Sequence, residues 1–133
     1  MVDRPSLSKG EMEIARLLWD VGPATVRATF ESLPEGREMD FATVQTYLRR
    51  LEKKGYASSK LDGRVRVYSA RAKARTVIRE TVDDLVQRLF GGEKLPLVRH
   101  LIEDTRLSDD DLAELRKLIA RLEKERSLSL IHI

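Results

Sequence analysis

Thr43, Gln45, Thr46, Arg49 and Arg50 lie close together in one run, Phe41 to Lys54, and all five are types that read base edges. Glutamine bonds the major-groove edge of adenine bidentately and arginine does the same with guanine. A threonine methyl meets the methyl of thymine. Lys53 and Lys54 follow at the end of the run, where phosphate contact is expected. Lys60, Arg64 and Arg66 come next, and they too are of a type that grips phosphate. Thr25, near the start of an earlier helix, is a further phosphate candidate, since helix starts favour anions. From Arg49 to Arg75 the chain carries ten cations and two anions, a net of +8. The bland reading of such a run is a solvated, charged helix face. The adjoining basic hairpin favours a surface that meets phosphate.

Periodicity supplies the element that positions these residues. Phe41, Val44, Leu48 and Leu51 recur at helical spacing and make a buried face. Thr43, Thr46, Arg50 and Lys53 make a second stripe, and Gln45, Arg49 and Glu52 a third. Asp40 is placed to cap this helix and Gly55 to stop it. Tyr56 to Leu61 and Arg64 to Ser69 read as strands around an Asp62-Gly63 hairpin turn. In that register Lys60 shares a face with Val65 and Leu61 with Arg64. The hairpin is expected to be a thin wing with a packed base and a wet tip.

Upstream, Ser8 and Glu11 match a capping box that opens a helix over about 9–20, with Ile14, Leu17, Leu18 and Val21 on its apolar face. Trp19 is expected to anchor this helix. Gly22-Pro23 breaks the chain, and a short helix over 24–33 follows, with Val26, Phe30 and Leu33 inward. Downstream, three more helices are expected: 70–90, a short one opening near Pro96, and one capped by Ser108 that runs to about Arg126. Gly91-Gly92 stops the first of them. The fold class is therefore mainly α with a small β-hairpin wing. It is a winged helix-turn-helix domain over 1–70 with a C-terminal helical dimerisation region over 71–126. Residues 127–133 form a tail. Leu128 to Ile133 is what the end of a common transposase-based sequencing adapter encodes in frame, so the tail is expected to be a cloning or sequencing artefact.

The later helices carry narrow apolar stripes with no sheet to pack on, which points to an intermolecular partner. A homodimer is expected through Ile78, Val82, Leu85, Leu89, Leu97, Leu101, Leu112, Leu115, Ile119 and Leu122. Charge divides the chain in the same sense. Residues 1–75 carry net +5 and residues 76–133 net −2, which suggests nucleic acid for the front and protein for the back.

Other classes find little support. The chain has 133 residues and no cysteine, and outside the tail its one histidine is His100. No thiolate or ordinary zinc site can be assembled from that set. No phosphate-binding glycine loop and no grouped nucleophile and base point to catalysis, so an enzyme is not expected and no cofactor or metal is called for. Asp109 to Asp111 match the dipole at a helix start. No apolar run reaches the ~18 residues of a spanning helix, so no membrane insertion is expected. The N-terminus has no signal-peptide core, and a cytoplasmic location follows.

Several segments together resemble the penicillinase repressor family. They are Leu7 to Ile14 with Leu18-Trp19, Thr43 to Leu51 with Lys53 to Gly55, Gly63 to Tyr68, and Leu107 to Leu118. The resemblance implies a homodimeric winged-helix repressor on a palindromic double-stranded DNA operator, blocking transcription by occupancy. Half-sites would then lie roughly 34–36 Å, or a multiple, apart. It places the recognition helix at Phe41 to Lys54 and the wing at Tyr56 to Ser69. Family members answer β-lactams through a membrane metallopeptidase pathway that ends in a cut between Asn and Phe, so an inactivating protease is an implied partner. The equivalent pair here is His100-Leu101, which departs from that pattern and leaves the switch and the cut open. Related copper-responsive repressors use a cysteine-rich tail, which this chain lacks. The alternative function is a winged-helix protein-interaction module that binds no DNA, since fold alone does not assign function.

Overall fold

The computed structural model describes residues 4–131; residues 1–3 and 132–133, the two ends of the chain and of the tail, lie outside it. The chain forms two compact units, Met1–Asp84 and Leu85–Ile133.

In the first unit, Ser8 caps α1 (Lys9–Val21). Its hydroxyl accepts from the Glu11 amide at 3.2 Å, and its own amide donates to Glu11 Oε1 at 2.8 Å. This is the expected capping box. Ile14, Ala15 and Leu18 are buried, while Val21, expected inward, is exposed.

Gly22, at φ +83°, turns the chain into β1 (Ala24–Thr25). This two-residue strand replaces the first turn of the helix expected from residue 24. Ala24 and Thr25 pair with Tyr68 and Val67, so the backbone stays extended there. Thr25 then caps α2 (Val26–Glu31), its Oγ1 accepting from the Ala28 amide at 3.0 Å.

The third helix, α3, runs Phe41–Lys53. Asp40 sits at its N-cap, yet the carboxylate makes no capping bond there. Gly55, at φ +91°, reverses the chain into the hairpin.

β2 (Ala57–Asp62) and β3 (Val65–Ala70) pair antiparallel, and β3 lies between β1 and β2. Asp62 pairs with Val65, so the two-residue turn is Gly63-Arg64, one residue later than expected. Gly63 has φ +67° and no non-glycine residue has positive φ among the described residues. A glycine alone at the first turn position suits a turn of the II′ kind. The later turn slides the pairing by two residues, so Lys60 and Val65 still share a face as expected, while Arg64, expected on the face of Leu61, moves into the turn.

α4 (Ala74–Phe90) starts four residues later than expected. Residues 71–73 stay out of the helix, 71 and 72 as a bend, because the Arg71 amide donates to the Tyr56 carbonyl and Trp19 Nε1 to the Ala72 carbonyl, both at 2.9 Å. Trp19 is thus the anchor foreseen for it.

The core of this unit is Ile14 and Leu18 of α1, Val44, Leu48 and Leu51 of α3, and Tyr56, Tyr68 and Val77. One charged side chain is buried with them. Glu11 is 1% exposed and its Oε1 accepts from Lys54 Nζ at 2.6 Å; Lys54 also donates to the Ser6 carbonyl at 3.0 Å. The N-terminal segment is held further by Arg4, which donates to both oxygens of Glu80 at 2.9 Å, and by Tyr56, which donates to the Pro5 carbonyl at 2.7 Å.

In the second unit, α4 ends at Gly91 and Gly92, both with positive φ. α5 (Leu95–Glu103) carries Pro96 in its first turn. α6 (Asp109–Ile131) is capped by the Ser108 hydroxyl, which accepts from the Asp111 amide at 3.0 Å. It runs past the expected end at Arg126 and through the tail to Ile131, since no glycine or proline there breaks it. Neither α5 nor α6 buries a residue.

Burial raises the Glu11 carboxyl. The hydrogen bond from Lys54, those from the Ser8 amide and hydroxyl, and the Lys54 charge outweigh it, so its pKa lies below the ordinary 4.5. A depressed acid contributes stability that is full above pH 4.5 and lost as pH falls through the folded value. Glu11→Gln is therefore expected to lower stability by about 2 kcal/mol at neutral pH, the scale of a hydrogen bond to a charged group. It should also flatten the acid side of the stability profile below pH 4.5. Chemical denaturation across pH 3–7 measures both; an unchanged acid limb contradicts the role given to Glu11.

Candidate nucleic-acid interface

α3 is built to bury one side and show the other. Val44, Leu48 and Leu51 are all 0% exposed, and Phe41 lies half-buried above them. Around the helix, the line opposite this face is Ala42, Thr46, Arg49 and Lys53, all exposed. Thr43 and Arg50 flank that line on one side, and Gln45 and Glu52 on the other. The five expected base readers thus share one outward surface about two turns long. Arg49 and Arg50 are exposed, while Thr43 and Gln45 are half-buried.

Three of these residues have local engagements. Thr46 Oγ1 donates back to the Ala42 carbonyl at 3.0 Å, so its hydroxyl proton is engaged within the helix while the residue stays exposed. Thr43 lines a shallow cleft with Arg37, Met39 and Tyr47. The Arg50 guanidinium lies 5.9 Å from the centre of the Tyr47 ring, within reach of a cation–π attraction that steadies the cation.

The wing meets the Gln45–Glu52 side of α3. Ser59 Oγ donates to Glu52 Oε2 at 2.7 Å, and Arg66 Nη1 donates to Ser59 Oγ at 3.0 Å. Arg66 pairs with Leu61 across the hairpin and shares its face with Ser59 and Tyr68. It therefore stands at the junction of wing and helix. Lys60 lies on the other face with Val65 and Val67, and Arg64 lies in the turn itself. The base of the wing is buried at Ala57 and Tyr68, while Leu61 and Val65 near its tip are exposed.

Besides Arg66, two more expected phosphate contacts have internal partners. Lys54 is spent on buried Glu11 and the Ser6 carbonyl, so its ammonium holds the end of α3 against the start of α1. Thr25 uses its oxygen as the α2 cap, which leaves the hydroxyl proton to donate elsewhere.

The sequence reading missed Gly10 and Tyr47. A Cβ at Gly10 would lie 2.6 Å from the Tyr47 ring, so the ring packs on bare helix backbone. Glycine inside α1 is the one local signal of that close approach.

An amphipathic third helix with a cationic outward face, a hairpin bonded to its flank and a preceding short helix define a winged-helix DNA-binding domain. The model of the family described as penicillinase repressor matches residues 7–121, and the chain belongs to that family. It is a DNA-binding transcriptional repressor and not an enzyme. The methicillin resistance regulatory protein MecI of Mammaliicoccus sciuri is 25% identical over 113 residues, spanning 85% of this chain and 92% of that protein. The penicillinase repressor of Bacillus licheniformis is 25% identical over 115 residues, spanning 86% and 90%. Among solved structures, H. salinarum RosR superposes with a TM-score of 0.51 at 19% identity, over 92% of this chain and 99% of that one, a likeness of fold.

Gly10→Ala is expected to push the Tyr47 ring aside and unseat Arg50. The helix-propensity gain of roughly 0.8–1.0 kcal/mol offsets the lost packing, so stability should change little while DNA affinity falls several-fold. Thermal melts and a gel-shift titration measure the two; unchanged affinity contradicts the coupling of Gly10 to Arg50.

Proposed function

We propose that this repressor binds a palindromic operator as a homodimer in the cytoplasm and blocks transcription by occupying it. Arg49, Arg50, Gln45, Thr46 and Thr43 read bases in the major groove. Lys53, Lys60, Arg64 and Arg66 grip phosphate around them, with the Thr25 hydroxyl as a further donor. The observation that carries this reading is the outward face of α3, whose cations and amide have the donors that base edges and phosphates accept. A protein-interaction module has no need of that face, and the family membership speaks against it.

Dimerisation is supported by the apolar residues left uncovered in one chain. Ile78, Val82, Leu85 and Leu89 are exposed along one side of α4, at the spacing of a coiled-coil seam. Leu101, Ile119 and Leu122 are exposed on α5 and α6, and Leu97, Leu112 and Leu115 are half-buried. We assign these ten residues to the dimer contact of a C-terminal region over 71–126, behind a DNA-binding domain over 1–70. The tail over 127–133 is assigned no function and is read as an artefact.

Inactivation by a protease would have to open a helix here. His100-Leu101 lies inside α5, and His100 Nδ1 is 2.9 Å from Asp104 Oδ2 one turn on.

Arg49→Ala is expected to cost about 1–3 kcal/mol of operator binding and to relax sequence preference. Arg64→Ala should weaken all sequences alike and lower the salt dependence of binding. Gel-shift titrations on operator and random duplexes separate the two effects. If both variants keep wild-type affinity, the assignment of these residues is wrong.

A further inference from the structure

Arg27 is the second residue of α2 and is exposed. Its guanidinium carbon lies 4.7 Å from the centre of the Phe41 ring and 5.9 Å from that of Phe30. The two rings meet edge to face, 5.7 Å apart at 70°. Phe41 is the first residue of α3. The cation is therefore seated on an aromatic pair at the end of the recognition helix that leads into the groove.

Attraction of a guanidinium to a ring face spends none of its N–H donors on a hydrogen-bond acceptor. It leaves the five in-plane N–H donors for another acceptor. Among the described residues no ion pair or hydrogen bond engages Arg27. Other cations of this unit are spent within the fold: Arg4 on Glu80, Arg37 on Glu13 and Lys54 on Glu11. A cation with ordered position and unspent donors is arranged for an anion that arrives from outside. In a helix-turn-helix, the first residues of the recognition helix lie against base edges and the helix before it crosses the sugar–phosphate backbone. An arginine at the start of that preceding helix, beside the entry end of the next, faces a phosphate that borders the groove.

We propose that Arg27 is a phosphate clamp, held ready by Phe41 and Phe30, that sets how deeply the start of α3 enters the major groove. The ring pair removes much of the ordering cost a long side chain pays on binding. Linking the clamp to Phe41 ties phosphate contact directly to the position of Thr43, Gln45 and Thr46, which follow on the same helix. This inference rests on α3 being the helix in the groove.

The test compares wild type, Arg27→Gln and Arg27→Lys on operator and random duplexes over 0.1–1 M salt, with thermal melts to verify folding. Arg27→Gln should flatten the slope of log affinity against log salt by about 0.9, the share of one phosphate. Its affinity should fall by the same factor on both duplexes, about eightfold at 0.1 M, and converge with wild type near 1 M. Arg27→Lys keeps the charge and loses the planar guanidinium, so it should keep the wild-type slope and lose less affinity. An unchanged slope for Arg27→Gln overturns the clamp, as does a loss confined to the operator. A wild type with no salt-dependent duplex binding overturns the groove placement of α3 instead, and the clamp with it.

Discussion

A buried carboxylate ties the ends of the two long helices of the first unit together. Glu11 caps α1 through Ser8 and, with the same Oε1, receives the ammonium of Lys54 just after α3. Lys54 passes on to the Ser6 carbonyl, so the N-terminal segment, α1 and α3 meet at one ion pair. Burying a charge is costly unless it is paired and hydrogen-bonded. Glu11 meets both conditions, and its carboxyl stays ionised for that reason. α3 is thereby fixed at its C-terminal end, where Leu51 locks it to the core.

The outward face inherits its geometry from this anchoring. Tyr47 lies over Gly10 at one flank and stands under Arg50. At the other flank, Glu52, Ser59 and Arg66 form a chain of bonds that joins helix to wing. The reading surface is thus held from both sides, with Arg49 and Lys53 between. Arg50 and Arg66 are each steadied by a neighbouring side chain, Tyr47 and Ser59, and preorganisation of this kind reduces the ordering cost of any binding.

Much of this was legible from local chemistry. The capping box at Ser8 and Glu11, the period of α3, the glycine stop at Gly55 and the strands around Gly63 each follow from rules that act within a few residues. The departures arose where distant groups intervened. Pairing of Ala24 and Thr25 with β3 cancelled a helical turn, and Trp19 and Tyr56 held residues 71–73 out of α4. Lys54 looked like one more cation in a basic run, and its buried partner lies 43 residues away. Gly10 gave a faint signal and Tyr47 none, because a close approach between helices has no local pattern. The uncovered stripes of α4, α5 and α6 were legible as amphipathic periodicity, since a helix declares its apolar side whether or not the partner is present.

The central claim is that α3 and the wing read duplex DNA in pairs, brought together by the C-terminal helices. Footprinting on the DNA upstream of the protein's own gene tests it most directly. The account predicts two protected half-sites of inverted sequence on one face of the duplex, with centres about 10 base pairs or a multiple apart. Absence of protection, or a single unpaired segment at saturating protein, would contradict it.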